Sequence, residues 1–341
     1  MPNEIEKTWD ELLAEADSND PTKRVYRLLG KSAKGVRASV VPIDRALELL
    51  VEVPAKWKDT KPKLPQWKGM GFETLPISIP PRTENHQLVL ALRDEEQKAI
   101  FLSYCNDLVA NLEGVSTPKE RITRIEDSIA RWSRFFEKCG SDGLDAQSQA
   151  GLFGELVWLE KLIESNLDLQ VAVESWKGCE RNFHDFDVAG KVVEVKTSMM
   201  KEPQQITINN ERQLDDRGLL SLHLFFVSFR KADGGGLTLN AKIHQIRQKL
   251  EGSQVTLMRF NDCLINAGYL DQHAPKYKSH FIVKEEMLFH VHDDFPRIID
   301  PPNGIGSLKY GVLISSCRSF DAKIPAYLTS LSEMPNDNNV G

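Results

Sequence analysis

The stretch from Asp185 to Lys196 reads as a short β-hairpin with its charged chemistry on one face. Side chains alternate across a strand, so Asp185 and Asp187 share one face of the first run, and Glu194 and Lys196 share one face of the second. Phe186, Val188, Val193 and Val195 point the other way. A two-residue turn at Ala189-Gly190 pairs Val188 with Lys191 and sets Asp185 opposite Glu194, with Cβ atoms about 5 Å apart. A turn at Gly190-Lys191 sets Asp187 opposite Glu194 instead. Either register gathers carboxylates with a lysine beside them.

Two carboxylates on adjacent strands can hold Mg²⁺ or Mn²⁺. Mg²⁺ takes oxygen ligands, keeps several waters and binds phosphate. Such an ion polarises a phosphodiester and helps generate hydroxide from bound water. A lysine two residues beyond the carboxylate reaches the same space. There it can position or deprotonate the attacking water, and the ion's charge would depress its pKa. The competing reading is an exposed strand face carrying salt bridges, which suits an isolated apolar-Glu-apolar-Lys string. The preceding Asp-Phe-Asp at hairpin distance weighs toward the metal site.

Upstream, Leu152, Leu156, Leu159 and Ile163 recur at helical spacing and form an apolar stripe. Glu155 falls at the edge of that stripe, one turn after Gly151, and points toward whatever the stripe covers. Burying an unpaired carboxylate is costly, so Glu155 needs a partner, either the metal site or a flanking lysine. Gly151 and Gly154 weaken a helix unless close packing requires them.

Helix glutamate, then Asp, then Glu-x-Lys resembles the pattern of the PD-(D/E)xK nuclease superfamily, the fold of many restriction enzymes. More closely, the segments Gly151 to Leu156, His184 to Phe186, Val193 to Thr197 and Gln213-Leu214 resemble an uncharacterised bacterial family of PD-(D/E)xK motif proteins associated with phage-defence and restriction loci. The resemblance extends into Leu222 to Phe229 and, more weakly, along the rest of the chain. It implies an α/β (α+β) fold whose restriction-endonuclease-like core is a central mixed sheet flanked by helices. It implies that Asp185 and Glu194 are metal ligands, that Lys196 is the catalytic lysine, and that Glu155 completes the site through metal or water. His184 stands where the motif's proline would be, and Asp187 competes with Asp185 as principal ligand. Thr197 and Ser198 could donate to a phosphate. Gln213 could orient substrate or water, or cap a helix.

At 341 residues and 41% hydrophobic content the chain can bury a full core and has room for two domains. The start has no basic-then-apolar leader and no run is long enough to span a bilayer, which implies a cytoplasmic protein with no membrane partner. Five cysteines lie far apart without paired spacing, and read as reduced buried thiols rather than a zinc site or disulfide framework. No glycine loop of the Walker type is present, so ATP binding is not expected. A net charge of −6 argues against indiscriminate DNA binding, because backbone affinity comes from neutralising phosphates. A nuclease with this balance needs a local basic surface, a restricted substrate or a partner. The expected partners are DNA and proteins encoded in the same defence locus, an ATPase among the candidates.

Four segments are expected. Residues 1–143 form a mainly antiparallel α+β domain for DNA recognition or partner docking. Its helix at 3–16 precedes strands at Arg24–Leu29, Val36–Ile43, Leu47–Val53, Phe72–Ile79 and Gln87–Leu92, then helices at Asp94–Leu112 and Pro118–Lys138. Residues 144–252 form the nuclease core: helix Leu144–Asn166, strand Gln170–Trp176, the hairpin, strands Ile206–Asn209 and Leu222–Arg230, and helix Leu239–Glu251. A connecting helix near Glu211–Gly218 is weakly signalled. Residues 253–330 form an α/β extension on that core, with strands at Phe281–Val283, Met287–His292 and Lys309–Ser315. Residues 331–341 read as a disordered polar tail. The loop from Trp57 to Lys68 mixes tryptophans with lysines and could grip a nucleic-acid strand, or pack its tryptophans on the sheet. His290 and His292 share a strand face and read as structural. The expected function is a Mg²⁺-dependent DNA phosphodiester hydrolase, an endonuclease of a prokaryotic anti-phage defence or restriction system. The alternative is a nuclease-fold DNA-binding or assembly subunit with little hydrolysis of its own. An RNA-processing nuclease is a third class.

Overall fold

Alternating apolar residues between Val25 and Leu92 form a five-stranded antiparallel sheet in the order Val25–Leu28, Val36–Val41, Ala46–Val53, His86–Leu92, Met70–Pro76. The computed structural model describes residues 4–17, 20, 23–29, 35–61, 63–77, 85–139, 143–180, 182–199, 202–232, 235–305 and 307–333. The chain divides into two units, Met1–Asp142 and Gly143–Gly341. In the first, α1 (Glu4–Ala16) buries Ile5, Trp9, Leu12 and Ala16 along one stripe. It is followed by β1 (Val25–Leu28), β2 (Val36–Val41), β3 (Ala46–Val53), α2 (Trp57–Thr60), β4 (Met70–Pro76), β5 (His86–Leu92), α3 (Lys98–Leu112) and α4 (Pro118–Cys139). The Trp9 indole donates to the Ser39 and Glu48 carbonyls at 3.1 and 3.3 Å, which pins α1 to β2 and β3. Ser78 and Ile79, expected in the fourth strand, lie outside the described residues.

Both tryptophans of the lysine-rich loop belong to this core. The Trp57 indole donates to Glu126 Oε1 at 2.8 Å, and Trp67 packs edge-on against Phe72 and Tyr104. An indole buries a large apolar area when it turns inward, and both rings are buried. These rings are therefore not a platform for nucleobases.

The second unit opens with α5 (Ala146–Glu164), capped by Asp145, whose side chain accepts from Ser148 N. Next come α6 (Leu169–Glu174), β6 (Phe186–Val188), β7 (Lys191–Ser198), β8 (Gln205–Ile208), β9 (Ser221–Ala232), β10 (Leu237–Thr238), α7 (Leu239–Leu250), α8 (Gln254–Ala267), β11 (His280–Val291), β12 (Tyr310–Leu313), β13 (Asp321–Ala322) and α9 (Ile324–Ser332). The main sheet is mixed, in the order β10-β11-β9-β7-β6, with β7 and β9 parallel, the other pairs antiparallel and β13 on β11. One face takes α5, through Trp158 on Phe225 and Gly154 against Thr197 and Val195. The other buries Val192, Leu222, Leu224, Phe226 and Phe289 against Ile206 and Ile208 of β8 and Val312 of β12. An α+β architecture results.

Several elements depart from expectation. Residues 169–174 are helix α6, not a strand. Val171 and Val173 alternate, but the Asp168 side chain accepts from Gln170 N and Val171 N and starts a helical turn. The strands expected at 281–283 and 287–292 are one strand, β11, with an irregularity between Val283 and Glu285. The run at 309–315 leaves the strand at Leu313 and continues as a 3₁₀ segment, Ile314–Phe320. The connection near 211–218 contains a single 3₁₀ turn, Glu211–Leu214. Leu331 and Ser332, assigned to the tail, close α9 with Leu331 buried, and residues 334–341 lie outside the described residues.

The histidines stack. His223 and His290 are cross-strand partners with ring centroids 4.7 Å apart, and His292 lies 4.5 Å from His290. Burial, reinforced by His290, pushes the His223 pKa down to about 3. An unfolded chain takes up a proton at this residue near pH 6.5 while the fold does not. The stability it contributes is full above that value and is lost as pH falls from about 6.5 toward 3. The variant His223→Gln should therefore lose less stability than the parent between pH 7 and 4.5. The expected difference, read by urea unfolding at both pH values, is of order 2 kcal/mol.

The two glycines of α5 differ. A Cβ on Gly154 would stand 2.2 Å from Thr197 Cγ2, whereas one on Gly151 meets nothing within 4 Å. Gly154 thus sets how closely the helix approaches β7. Gly154→Ala should destabilise the protein by about 1–3 kcal/mol. Gly151→Ala should stabilise it by about 0.5–1 kcal/mol in the same measurement.

Candidate active site

The hairpin adopts the register Phe186↔Val193, Asp187↔Val192, Val188↔Lys191, with the two-residue turn at Ala189-Gly190. Both turn residues are left-handed, at φ 49° and 85°, as a turn matching the strands' twist requires. The Asp187 carboxylate accepts from Gly190 N at 2.8 Å and is exposed. Asp187 therefore braces the turn, and in this register Asp185 is the aspartate set toward Glu194. One residue beyond the last ladder pair, Asp185 continues toward Glu194. Its Oδ2 accepts from Val195 N at 2.7 Å, and its carbonyl accepts from Lys177 N and Gly178 N at 2.7 and 2.9 Å.

Glu155 approaches from α5. Its Oε2 accepts from the Trp176 indole N–H at 2.7 Å. Gly178 occupies the adjacent 3₁₀ turn, Gly178–Glu180. A Cβ there would sit 2.7 Å from Asp185 Oδ1 and 3.3 Å from Glu155 Oε2. The glycine keeps open a space that both carboxylates line. Neither Trp176 nor Gly178 was singled out in the sequence. Trp176 read as the end of a strand, and nothing local marks Gly178.

Glu194 is only 1% exposed. Burial, with Asp185 and Glu155 adding and Lys196 opposing, pushes its pKa up to about 8. Its Oε1 accepts from Lys196 Nζ at 2.7 Å, while Oε2 is buried without a hydrogen-bond partner. Burial pulls the Lys196 ammonium down, but Glu194 and Asp185 outweigh it and hold its pKa above the ordinary value. Gln213 Oε1 accepts from Lys196 Nζ at 3.2 Å and from Asn209 N at 2.9 Å. The capping role belongs to its neighbour Asn210, whose side chain accepts from Arg212 N and Gln213 N. Gln213 thus orients the lysine.

Thr197 lies on the opposite face, its methyl against Gly154. Ser198 shares the parity of Lys196 but is buried. His184, in the proline position of the motif, is half-buried, and burial lowers its pKa. At the edge, the Arg212 guanidinium lies over the exposed Phe183 ring, 4.5 Å from its centroid.

The donor set suits a hard divalent cation. Glu155, Asp185 and Glu194 interact electrostatically, one lysine partners them, and a buried carboxylate oxygen has no donor. Among the described residues no three His, Cys, Asp or Glu side chains are grouped closely enough to hold a metal ion between them. Mg²⁺ needs no such group, since it is commonly held by one or two carboxylates with water and phosphate in the remaining positions.

No curated protein and no solved structure matches the chain. One family model does, described as "Putative PD-(D/E)XK family member, (DUF4420)", and it matches residues 5–315. The match takes in both units and every residue of the hairpin site. The chain belongs to this PD-(D/E)XK family.

Proposed function

We propose that this protein is a Mg²⁺-dependent DNA phosphodiester hydrolase whose α5, β6, β7 and β9 make up a restriction-endonuclease-like core. The observation that carries the reading is Glu194 Oε2, a buried carboxylate oxygen without a donor, beside Asp185, Glu155 and Lys196. Asp185 and Glu194 would hold the cation, and Glu155 would reach it directly or through water. When bound, Mg²⁺ or Mn²⁺ polarises the phosphodiester and lowers the pKa of coordinated water.

The side chains do the rest. Val195 N fixes the Asp185 carboxylate, so its second oxygen faces the space beside Gly178. Lys196, charged and gripped by Glu194 and Gln213, holds the attacking water and offsets charge developing on the phosphate. It acts as base only once a cation has drawn charge away from it. Phe183 and Arg212 suit an unstacked base and its phosphate at the edge of the site.

Net charge supports a delivered substrate. At −6 the chain should bind bare duplex weakly and in a strongly salt-dependent way. A partner from a prokaryotic defence or restriction locus, such as an ATPase, would present DNA to this face, and the first unit would dock it. The same charge favours the second reading, an assembly subunit with little hydrolysis. Phage protection that survives an Asp185→Ala/Lys196→Ala double substitution would support that reading over the enzyme.

Two measurements test the assignment. By calorimetry, Asp185→Asn and Glu194→Gln should each weaken Mn²⁺ binding about tenfold or more. Asp187→Asn should leave it nearly unchanged, and equal loss in all three would end the distinction drawn between the two aspartates. On plasmid, linear and single-stranded DNA with Mg²⁺, Mn²⁺ or EDTA, Lys196→Ala should cut at least ~100-fold more slowly than the parent with DNA binding intact. A variant that cuts as fast as the parent would remove Lys196 from the mechanism.

A further inference from the structure

Two of the five cysteines, unremarkable in sequence, meet in the fold. Cys179 lies on the 3₁₀ turn Gly178–Glu180 and Cys263 lies within α8. They are 84 residues apart, yet their Sγ atoms approach to 2.7 Å, about 0.7 Å beyond the length of a disulfide bond. Both thiols are free and buried. Contacts on either side hold the two elements together. Trp176 packs on Phe260, with ring centroids 6.0 Å apart, and Glu180 pairs with Arg259. Closing the remaining gap needs a shift of less than 1 Å between the sulfurs.

We propose that Cys179 and Cys263 are a modification site, forming a reversible disulfide that ties the Gly178–Glu180 turn to α8. A small-molecule disulfide, such as oxidised glutathione, is a sufficient oxidant. One cysteine thiolate attacks it, releasing one glutathione thiol and leaving a mixed disulfide. The second cysteine displaces the other glutathione. In sum two cysteine thiols lose two electrons and two protons, one S–S bond forms, and the oxidant leaves as two thiols. The contact with Cys263, and then burial, hold the Cys179 thiol protonated, so attack waits on an opening of the turn.

The position gives the bond its consequence. Lys177 and Gly178 hold the Asp185 carbonyl, and Trp176 holds Glu155, so the cross-link would fix the segment on which both carboxylates lean. The cross-link stands whether or not the site cuts nucleic acid.

The test is a peptide map. The full-length protein is exposed to oxidised glutathione once while folded and once during refolding, then alkylated and digested with trypsin without reductant. A peptide pair joined through 179 and 263 is expected in at least one arm. Its formation should raise the melting temperature by several degrees, reversibly with dithiothreitol, since a bond across a long loop constrains the unfolded chain. The variant Cys263→Ala should show neither the joined peptides nor the shift. If that variant fails to fold, the map and the reductant-reversible shift of the parent decide the matter. Free thiols at both positions in both arms overturn the proposal, as does pairing of either cysteine elsewhere or glutathionylation without a Cys179–Cys263 bond.

Discussion

Glu194 is a carboxylate forced into the interior by its own strand. Val193 and Val195 must face α5, so parity sends Glu194 and Lys196 to the face that buries Leu224 and Phe226. A charge so placed needs compensation, and Lys196 supplies it to one oxygen only. The neighbouring carboxylates make matters worse by repulsion rather than better. A site of this kind is costly for a fold to keep unless a cation relieves it. Local rules of good packing and the arrangement around Glu194 pull in opposite directions, which is where function is expected to override them.

The segment from Trp176 to Glu180 carries more of this arrangement than its length suggests. β6 is hydrogen-bonded to β7 on one side and to residues 175–178 on the other, through Asp187 N to Ser175 O and the Asp185 carbonyl to Lys177 N and Gly178 N. Trp176 stacks on Phe186 and reaches Glu155. One short connection therefore sets the depth of Asp185 and the reach of Glu155 together. Gly154 acts from the other side of the sheet by letting α5 close onto Thr197. The carboxylates come from three parts of the chain, and these two close approaches bring them into one space.

Period-two alternation made the hairpin and most strands legible, because one buried face imposes it. It also showed that Asp185, Glu194 and Lys196 share a face. It left open the choice between Asp185 and Asp187, since either turn position satisfies the parity. What separates them is Asp187's bond to Gly190 N, a turn contact that alternation does not encode. The same alternation misled at Val171 and Val173, where the Asp168 cap governs the backbone. Helix α8 was overlooked although Ser253 and Gly268 mark its ends, because Val255 and Met258 are exposed and blur its apolar stripe. Ile206 and Ile208 would read identically in the main sheet or, as found, in a separate pair with β12. Pairing partners distant in sequence lie beyond what local pattern can carry.

Lys196 shows how the site's parts depend on one another. Held by Glu194 and Gln213 and surrounded by three carboxylates, its ammonium has every reason to remain charged. Proton abstraction by this lysine therefore cannot be a property of the residue alone. It depends on how much of the carboxylate charge a cation has already claimed, because the same Glu194 and Asp185 that raise its pKa are the groups such a cation would engage. Under the proposed function, metal binding and lysine basicity would thus be coupled through shared ligands. The lysine would be a charge partner while the carboxylates are free and become a proton acceptor only once they are committed to a cation.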